Sequence, residues 1–397
     1  MDAIPLELVT EIARNLDTTS DISHLRQVSR AFAYAASPVL FHRVQVMNTV
    51  ECLNQCYEFQ KRSPASASFV RHLTLHHAIW PQLRSLDEWS THPQTLSPMH
   101  VSEHEKMHAY FAYRQFIDQE ASRTFDTDVC SLTRILSMFP KLTSLTLSHI
   151  HAWRWGKLRN DHYEELRTQI RIVPFFKARV EDLAYRLLSV LPNFPQITGL
   201  DIPSTLDMKD GEWRVTNENI VSLDVSNLVV RGYEHHQVQS FLQSFPNLHE
   251  LVLGTESGGH ISEQRIALGS LQWQHIRRVH FRHLWTTEND LISFVERHQL
   301  QQLVLRNVTL FSGSWESFFC RISTLSGRPL QSAVCIKPSG VQIPLDEAAT
   351  SYSHWPSSRA CSLKPRVYIL FGLGKARSYT SASRQNYRNF YISSEKE

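Results

Sequence analysis

Eight hexapeptides of one kind constrain this chain more than any other feature. Each reads apolar-x-x-apolar-x-apolar: VRHLTL (70–75), LTSLTL (142–147), ITGLDI (197–202), IVSLDV (220–225), LHELVL (248–253), IRRVHF (276–281), LQQLVL (300–305) and, more weakly, LQSAVC (330–335). Alternating apolar and polar positions are the signature of a short strand with one face buried. The middle anchors are Leu73, Leu145, Leu200, Leu223, Leu251, Val279, Leu303 and Ala333, separated by 72, 55, 23, 28, 28, 24 and 30 residues. One template recurring at nearly one period predicts a stack of a single supersecondary unit, a solenoid. The two long gaps are long enough to hold an insertion or a degenerate repeat.

The segments between hexapeptides read as helices. SLTRILSMFP, RVEDLAYRLLSVLPNFP, QVQSFLQSFPN and TENDLISFVERHQ each precede a hexapeptide, and SWESFFCRIS follows the seventh. Three of them end in Phe-Pro, at 139–140, 194–195 and 245–246. Proline cannot continue a helix and biases the residue before it to extended geometry. The phenylalanine can then fill the layer beneath the turn. Doubly wound α/β folds also alternate strand and helix, but their crossover units do not share one hexapeptide.

The first fifty residues have another character: MDAIPLELVTEIARNLDTTSDISHLRQVSRAFAYAASPVLFHRVQV. Ile4, Leu8 and Ile12 recur every fourth residue, with Val9, Ala13 and Leu16 beside them, which predicts an amphipathic helix that Pro5 opens. Asp17-Thr18-Thr19-Ser20 offers caps for a second helix bearing Ile22, Leu25 and Val28. Ser29 caps a third, ended by Pro38. Three short helices bury little surface alone and need a partner or a neighbouring domain.

These residues resemble an F-box: Ile4-Pro5-x-Glu7-Leu8, Ile12, Leu16-Asp17, Ile22, Leu25, Val28-Ser29-Arg30, Phe32, Pro38, Leu40-Phe41 and Val44 follow the family pattern in order. Ile4 and Ile22 replace Leu, and Phe41 replaces the common Trp, all keeping apolar bulk. The resemblance implies that Ile4, Pro5, Leu8, Ile12, Leu25 and Val28 contact the Skp adaptor of a cullin-based ubiquitin ligase. Those six side chains divide between docking and holding the three helices together. The hexapeptide array resembles the irregular leucine-rich repeats that often follow F-boxes, especially in fungi. Where such repeats often place Asn or Cys, this chain has Ile150, Leu228, Leu284 and Val308, so apolar packing must hold the turn. The expected fold is α/β: a three-helix F-box at 1–48, then a leucine-rich-repeat-like solenoid of short parallel strands and convex helices at 49–374. Insertions are expected near 78–128, 151–178 and 338–364, and a disordered basic tail at 375–397. The resemblance implies a substrate-recognition subunit that does no chemistry, needs no cofactor or metal, and acts by holding a protein target near a ligase. A scaffold that never joins a ligase is the alternative.

On the strands, residues between the anchors line the open face. There Asp201, Asp224 and Glu250 come first, and Arg278, Arg282 and Arg306 follow. This order suggests a bipolar surface for a protein substrate with one basic and one acidic segment. Charges that simply pair along the sheet would be the plainer outcome.

Other signals point elsewhere. His104-Glu105-Lys106-Met107-His108 is HExxH, which on a helix could hold zinc with Glu105 as base. However, a metzincin's further ligand positions are Phe111 and Arg114, and Ser102-x-x-Glu105 is a capping box. That helix is expected to pack Met107, Tyr110, Phe111, Ile117 and Ala121 on the solenoid. FGLGKARS (371–378) lacks the full spacing of a phosphate loop. A formal charge of +3 is too mild for nucleic acid as main partner. No apolar run reaches the roughly 20 residues a membrane span needs. Six scattered cysteines without CxxC, and no secretory signal, lead us to expect free thiols in the cytoplasm or nucleus.

Overall fold

The computed structural model describes residues 4–16, 18–96, 101–150, 161–175, 181–207, 215–229, 235–255, 266, 268–324, 332–336, 339–340 and 366–370. Its centre is one parallel sheet. The strands are β1 (Arg43–Met47), β2 (His72–His77), β3 (Ser144–His149), β4 (Gly199–Ile202), β5 (Leu206–Asp207), β6 (Ser222–Val229), β7 (Glu250–Thr255), β8 (Arg278–Arg282), β9 (Trp285–Thr287), β10 (Gln302–Arg306), β11 (Thr309–Ser312), β12 (Ser332–Ile336), β13 (Ser339–Gly340) and β14 (Arg366–Leu370). Their order in the main sheet is β1-β2-β3-β4-β6-β7-β8-β10-β12-β14, with β5 extending the β6 edge, while β13-β11-β9 form a second small sheet. Each strand follows its chain predecessor in space, the solenoid-like order expected of stacked units.

Register confirms the template residue by residue. Leu73, Leu145, Leu200, Leu223, Leu251, Val279, Leu303 and Ala333 are directly paired along one row. Val44 and Val367 extend that row at either end. A shared backbone device sets the height of seven of these strands. The carbonyls of His42, Arg71, Thr143, Thr198, Val221, His249 and Arg277 each accept two consecutive N–H groups at the start of the next strand.

The helices are α1 (Leu6–Arg14), α2 (Thr19–Val28), α3 (Arg30–Leu40), α4 (Val50–Arg62), α5 (Pro64–Ala67), α6 (Leu86–Thr91), α7 (Glu103–Ala121), α8 (Phe125–Met138), α9 (Asp161–Ile170), α10 (Glu181–Val190), α11 (His235–Gln243), α12 (Glu288–Arg297) and α13 (Trp315–Thr324). The five expected convex helices are α8, α10, α11, α12 and α13. Phe139, Phe194 and Phe245 are buried beneath the turns, where their N–H groups donate three residues back to Leu136, Leu191 and Leu242. Each such phenylalanine contributes roughly 1.5–3 kcal/mol of burial. Ile150, Leu228, Leu284 and Val308 are buried too, so apolar packing holds these turns. His283 and Asn307 stand at equivalent places with φ near +52°.

Four expectations are corrected. The sheet begins before residue 48, because Phe41-x-x-Val44-x-Val46 is itself a copy of the template and β1 pairs with β2. Pro38 lies inside α3 rather than ending it; so near the C-terminus its ring disturbs only the last turn. The stretch after residue 78 is not a plain loop, since α6 buries Trp89. On α7 the buried side chains are Ala109, Tyr113, Phe116 and Ile117, whereas Met107 and Phe111 are exposed.

The buried face of α7 has its cause outside the strand–helix array. The two insertions pack on each other. Thr95 bridges Ile172, Leu96 N–H donates to Arg171, and Val173 N–H donates to Gln94. They enclose a second core of Trp80, Trp89, Tyr113, Phe116, Tyr163, Ile170 and Ile172, joined to the array by Met47 and Ile150. A buried ionic knot fastens it. Arg123 donates to Asp128 (2.7 Å), Glu120 (2.9 Å) and the Asn48 carbonyl (2.7 Å), Arg186 pairs with Asp128, and Val50 N–H donates to Glu120. Cys52 and Cys56, on α4, are half-buried free thiols, and burial pushes the Cys56 thiol up to about 12. The expected loop at 338–364, apart from β13, and the tail at 375–397 lie outside the described residues, as does FGLGKARS.

Candidate functional site

The first candidate surface is the outer face of the N-terminal helices. Thr18 caps α2 and Ser29 caps α3, each accepting a backbone N–H from three residues on. The unit's own core is small: Ala13, Ile22 and Ala36, with Leu16, Leu25, Val39 and Leu40 packed against it. Alanines bury little area, so this core leaves much of the apolar stripe unused. On α1 the stripe splits. Val9 and Ala13 turn inward and are fully buried, while Ile4, Leu8 and Ile12 turn outward at 51%, 56% and 45% exposure. Val28 at the end of α2 is 65% exposed, and Pro5 is exposed as well.

Of the six expected adaptor contacts, five therefore lie in the open, and Leu25 packs into the unit's own core. Leu6 and Tyr34, which sequence reasoning passed over, are exposed on the same helices. Several large apolar side chains thus stand exposed on three short helices, where single ones would need no explanation. Phe41 connects this unit to the array, with Arg26 over its ring at 4.9 Å and Phe59 of α4 at 5.5 Å.

The second candidate surface is the outward face of the sheet, where Asp201, Asp224, Glu250, Arg278, Arg282 and Arg306 all fall. The charges are grouped as like beside like. Asp201 and Asp224 are directly paired on β4 and β6, and Arg282 and Arg306 on β8 and β10. Like charges directly opposite destabilise a sheet. Burial and the Asp224 carboxylate push the Asp201 carboxyl up to about 7, against Thr146, which donates to it at 3.5 Å. Asp224 is likewise raised, chiefly by burial, although Ser226 donates to it. Glu250 and Arg278 form an ion pair, which is the plainer outcome for those two residues. Arg282 reaches back across β7 to Ser226 (Nη1–Oγ 3.3 Å). Gly254 makes room for it: a Cβ there would lie 2.7 Å from the Ser226 carbonyl oxygen and 3.1 Å from the Arg282 Cβ.

HEKMH has a structural role. Glu105 accepts from the Ser102 N–H (2.9 Å) and hydroxyl (2.8 Å), completing the capping box of α7 and holding its carboxyl below the usual range. His104 and His108 are exposed, and among the described residues no three His, Cys, Asp or Glu side chains gather as metal ligands. No described helix is long and apolar enough to cross a membrane.

The sequence matches no protein-family model and no curated protein. One solved structure to which the chain is similar is a Bacteroides fragilis protein, at 10% identity and a TM-score of 0.38, over 85% of this chain and 76% of that one. At that degree of overlap it carries no argument. The chain builds a parallel α/β array with exposed apolar side chains on its N-terminal helices and a face of grouped charges along its strands.

Proposed function

We propose that this chain is the substrate-recognition subunit of a Skp–cullin–F-box ubiquitin ligase. In this reading the three N-terminal helices are an F-box, the strand–helix array is an irregular leucine-rich repeat, and the sheet face holds a protein target. The observation that carries it is the exposure of Ile4, Pro5, Leu8 and Ile12 on and just before α1 and of Val28 at the end of α2, at the positions where the F-box pattern places adaptor contacts. An adaptor would cover these side chains and supply the core that three short helices lack. The chain itself would contribute proximity, not chemistry.

The test is co-expression of the full chain with a Skp adaptor and a pull-down, beside Pro5→Ala/Leu8→Ala. Wild type is expected to bind, and the double variant at least tenfold more weakly, since truncating a central apolar anchor typically costs about 1–2 kcal/mol or more. If neither binds while circular dichroism shows both folded, the ligase reading falls and a ligase-independent scaffold replaces it.

A further inference from the structure

The strand face contains a group of donors that form no ion pair among the described residues. Arg282 and Arg306 are register partners on adjacent parallel strands, so their side chains leave the same face roughly 4.8 Å apart at the backbone. Around them stand His280, whose ring nitrogens lie 3.4 Å from Arg282 Nε, and His283, whose ring lies 3.4 Å from the Asn307 amide. Burial and both arginines hold His280 down to about 3 and lower His283 as well, with no carboxylate acting against them. Arg306 has no ion pair among the described residues, in contrast to Arg278, which Glu250 neutralises. Two guanidinium groups and an amide at half-buried positions, with Arg306 in no ion pair among the described residues and Arg282 shared with Asp201 and Asp224, constitute an oxyanion receptor.

The neighbouring acids select which oxyanion. Arg282 leans over Gly254 toward β6 and stabilises the charge of both Asp201 and Asp224. Those carboxylates disfavour a dianion and leave room for a monoanion with a cation beside it. We infer that the face around Arg282 and Arg306 binds a carboxylate-bearing segment of a protein partner, with a basic side chain of that segment directed toward Asp201 and Asp224. This rests on the reading of the sheet face as the target-holding surface and names the chemistry of the target.

The test uses the full chain labelled with 13C-histidine, titrated with acetate and separately with inorganic phosphate at constant ionic strength. The resonances of His280 and His283 are followed, assigned through His280→Gln and His283→Gln. Acetate is expected to shift both signals saturably. Arg306→Gln and Arg282→Gln are each expected to weaken it roughly tenfold or more, the loss of one charge-assisted hydrogen bond, and Lys61→Gln, on α4 away from this face, to leave it unchanged. Phosphate binding tighter than acetate would overturn the carboxylate assignment. No saturable shift, or equal shifts in wild type and Arg306→Gln, would overturn the site altogether. Arg306→Gln decides alone if the Arg282 variant fails to fold, since no described hydrogen bond depends on the Arg306 side chain. The adaptor pull-down on the same variants separates the two readings. Adaptor binding without acetate binding sinks only this inference, and acetate binding without adaptor binding sinks only the ligase reading.

Discussion

Replacing Asp201 by Asn tests the electrostatics of the sheet face directly. In the folded chain Asp201 sits beside Asp224 in the adjacent strand, and its carboxyl is raised from 3.8 to about 7 by burial and by that neighbour. Between those two values the folded state holds a proton that the unfolded state has released. Stability therefore falls as pH rises through this window. A displacement of about three pH units corresponds to roughly 4 kcal/mol as an upper bound. Asp201 is half-buried and its interaction with Asp224 is shared between two groups, so about 1–3 kcal/mol is the expected gain. Asn keeps an oxygen for Thr146 and removes the charge. Urea unfolding of wild type and Asp201→Asn at about pH 4 and about pH 8 reads the difference, and other carboxylates cancel between the two proteins. The two are expected to be equally stable at the lower pH and the variant more stable at the higher. A variant that is no more stable at the higher pH, or whose advantage is the same at both, would refute the reasoning. Combining it with Asp224→Asn is expected to add less than the sum of the single gains, because removing either charge relieves the same repulsion.

Two further predictions concern the frame. Asp128→Ala leaves Arg123 and Arg186 facing each other without their shared carboxylate, and is expected to cost about 3–5 kcal/mol, read as a lower urea midpoint at unchanged slope. Gly313 has φ +91°, and a Cβ there would collide with Glu288, whose carboxylate accepts from Ser314 N–H (2.8 Å) and Ser317 Oγ (2.5 Å) at the start of α13. Gly313→Ala is therefore expected to cost about 1–3 kcal/mol, measured by thermal unfolding.

Some of this molecule is readable from its residues alone, and the limits are physical. The anchor row is legible because a hexapeptide period and one buried face leave a strand a single register. Phe-Pro is legible because proline stops a helix wherever it falls. The first repeat escapes notice because Phe41, Val44 and Val46 satisfy two patterns at once, the end of one unit and the start of another. The face of α7 is misread because its partner is another insertion, and nothing local in Met107 or Phe111 says which neighbour will arrive. Alternation places all six charged residues on one outward surface, but their grouping depends on register across strands. Only that register makes neighbours of Asp201 and Asp224, or of Arg282 and Arg306. The roles of His280, His283 and Gly254 depend on it too.

The doubled hydrogen bond at the start of seven strands has a consequence for how such a chain can change. Because the carbonyl of one unit indexes the next, the length of what lies between is free. The intervals between anchors run from 23 to 72 residues, yet the row stays in step from Leu73 to Ala333. Closing the longest interval rather than the shortest costs only about 1 kcal/mol of chain entropy. An insertion that brings its own core, as the two that pack α7 against α9 do, can offset that. The array thus works as a ruler whose marks are hydrogen bonds and whose spacers are unconstrained, so new surface can be added between any two marks without shifting the charges on the others.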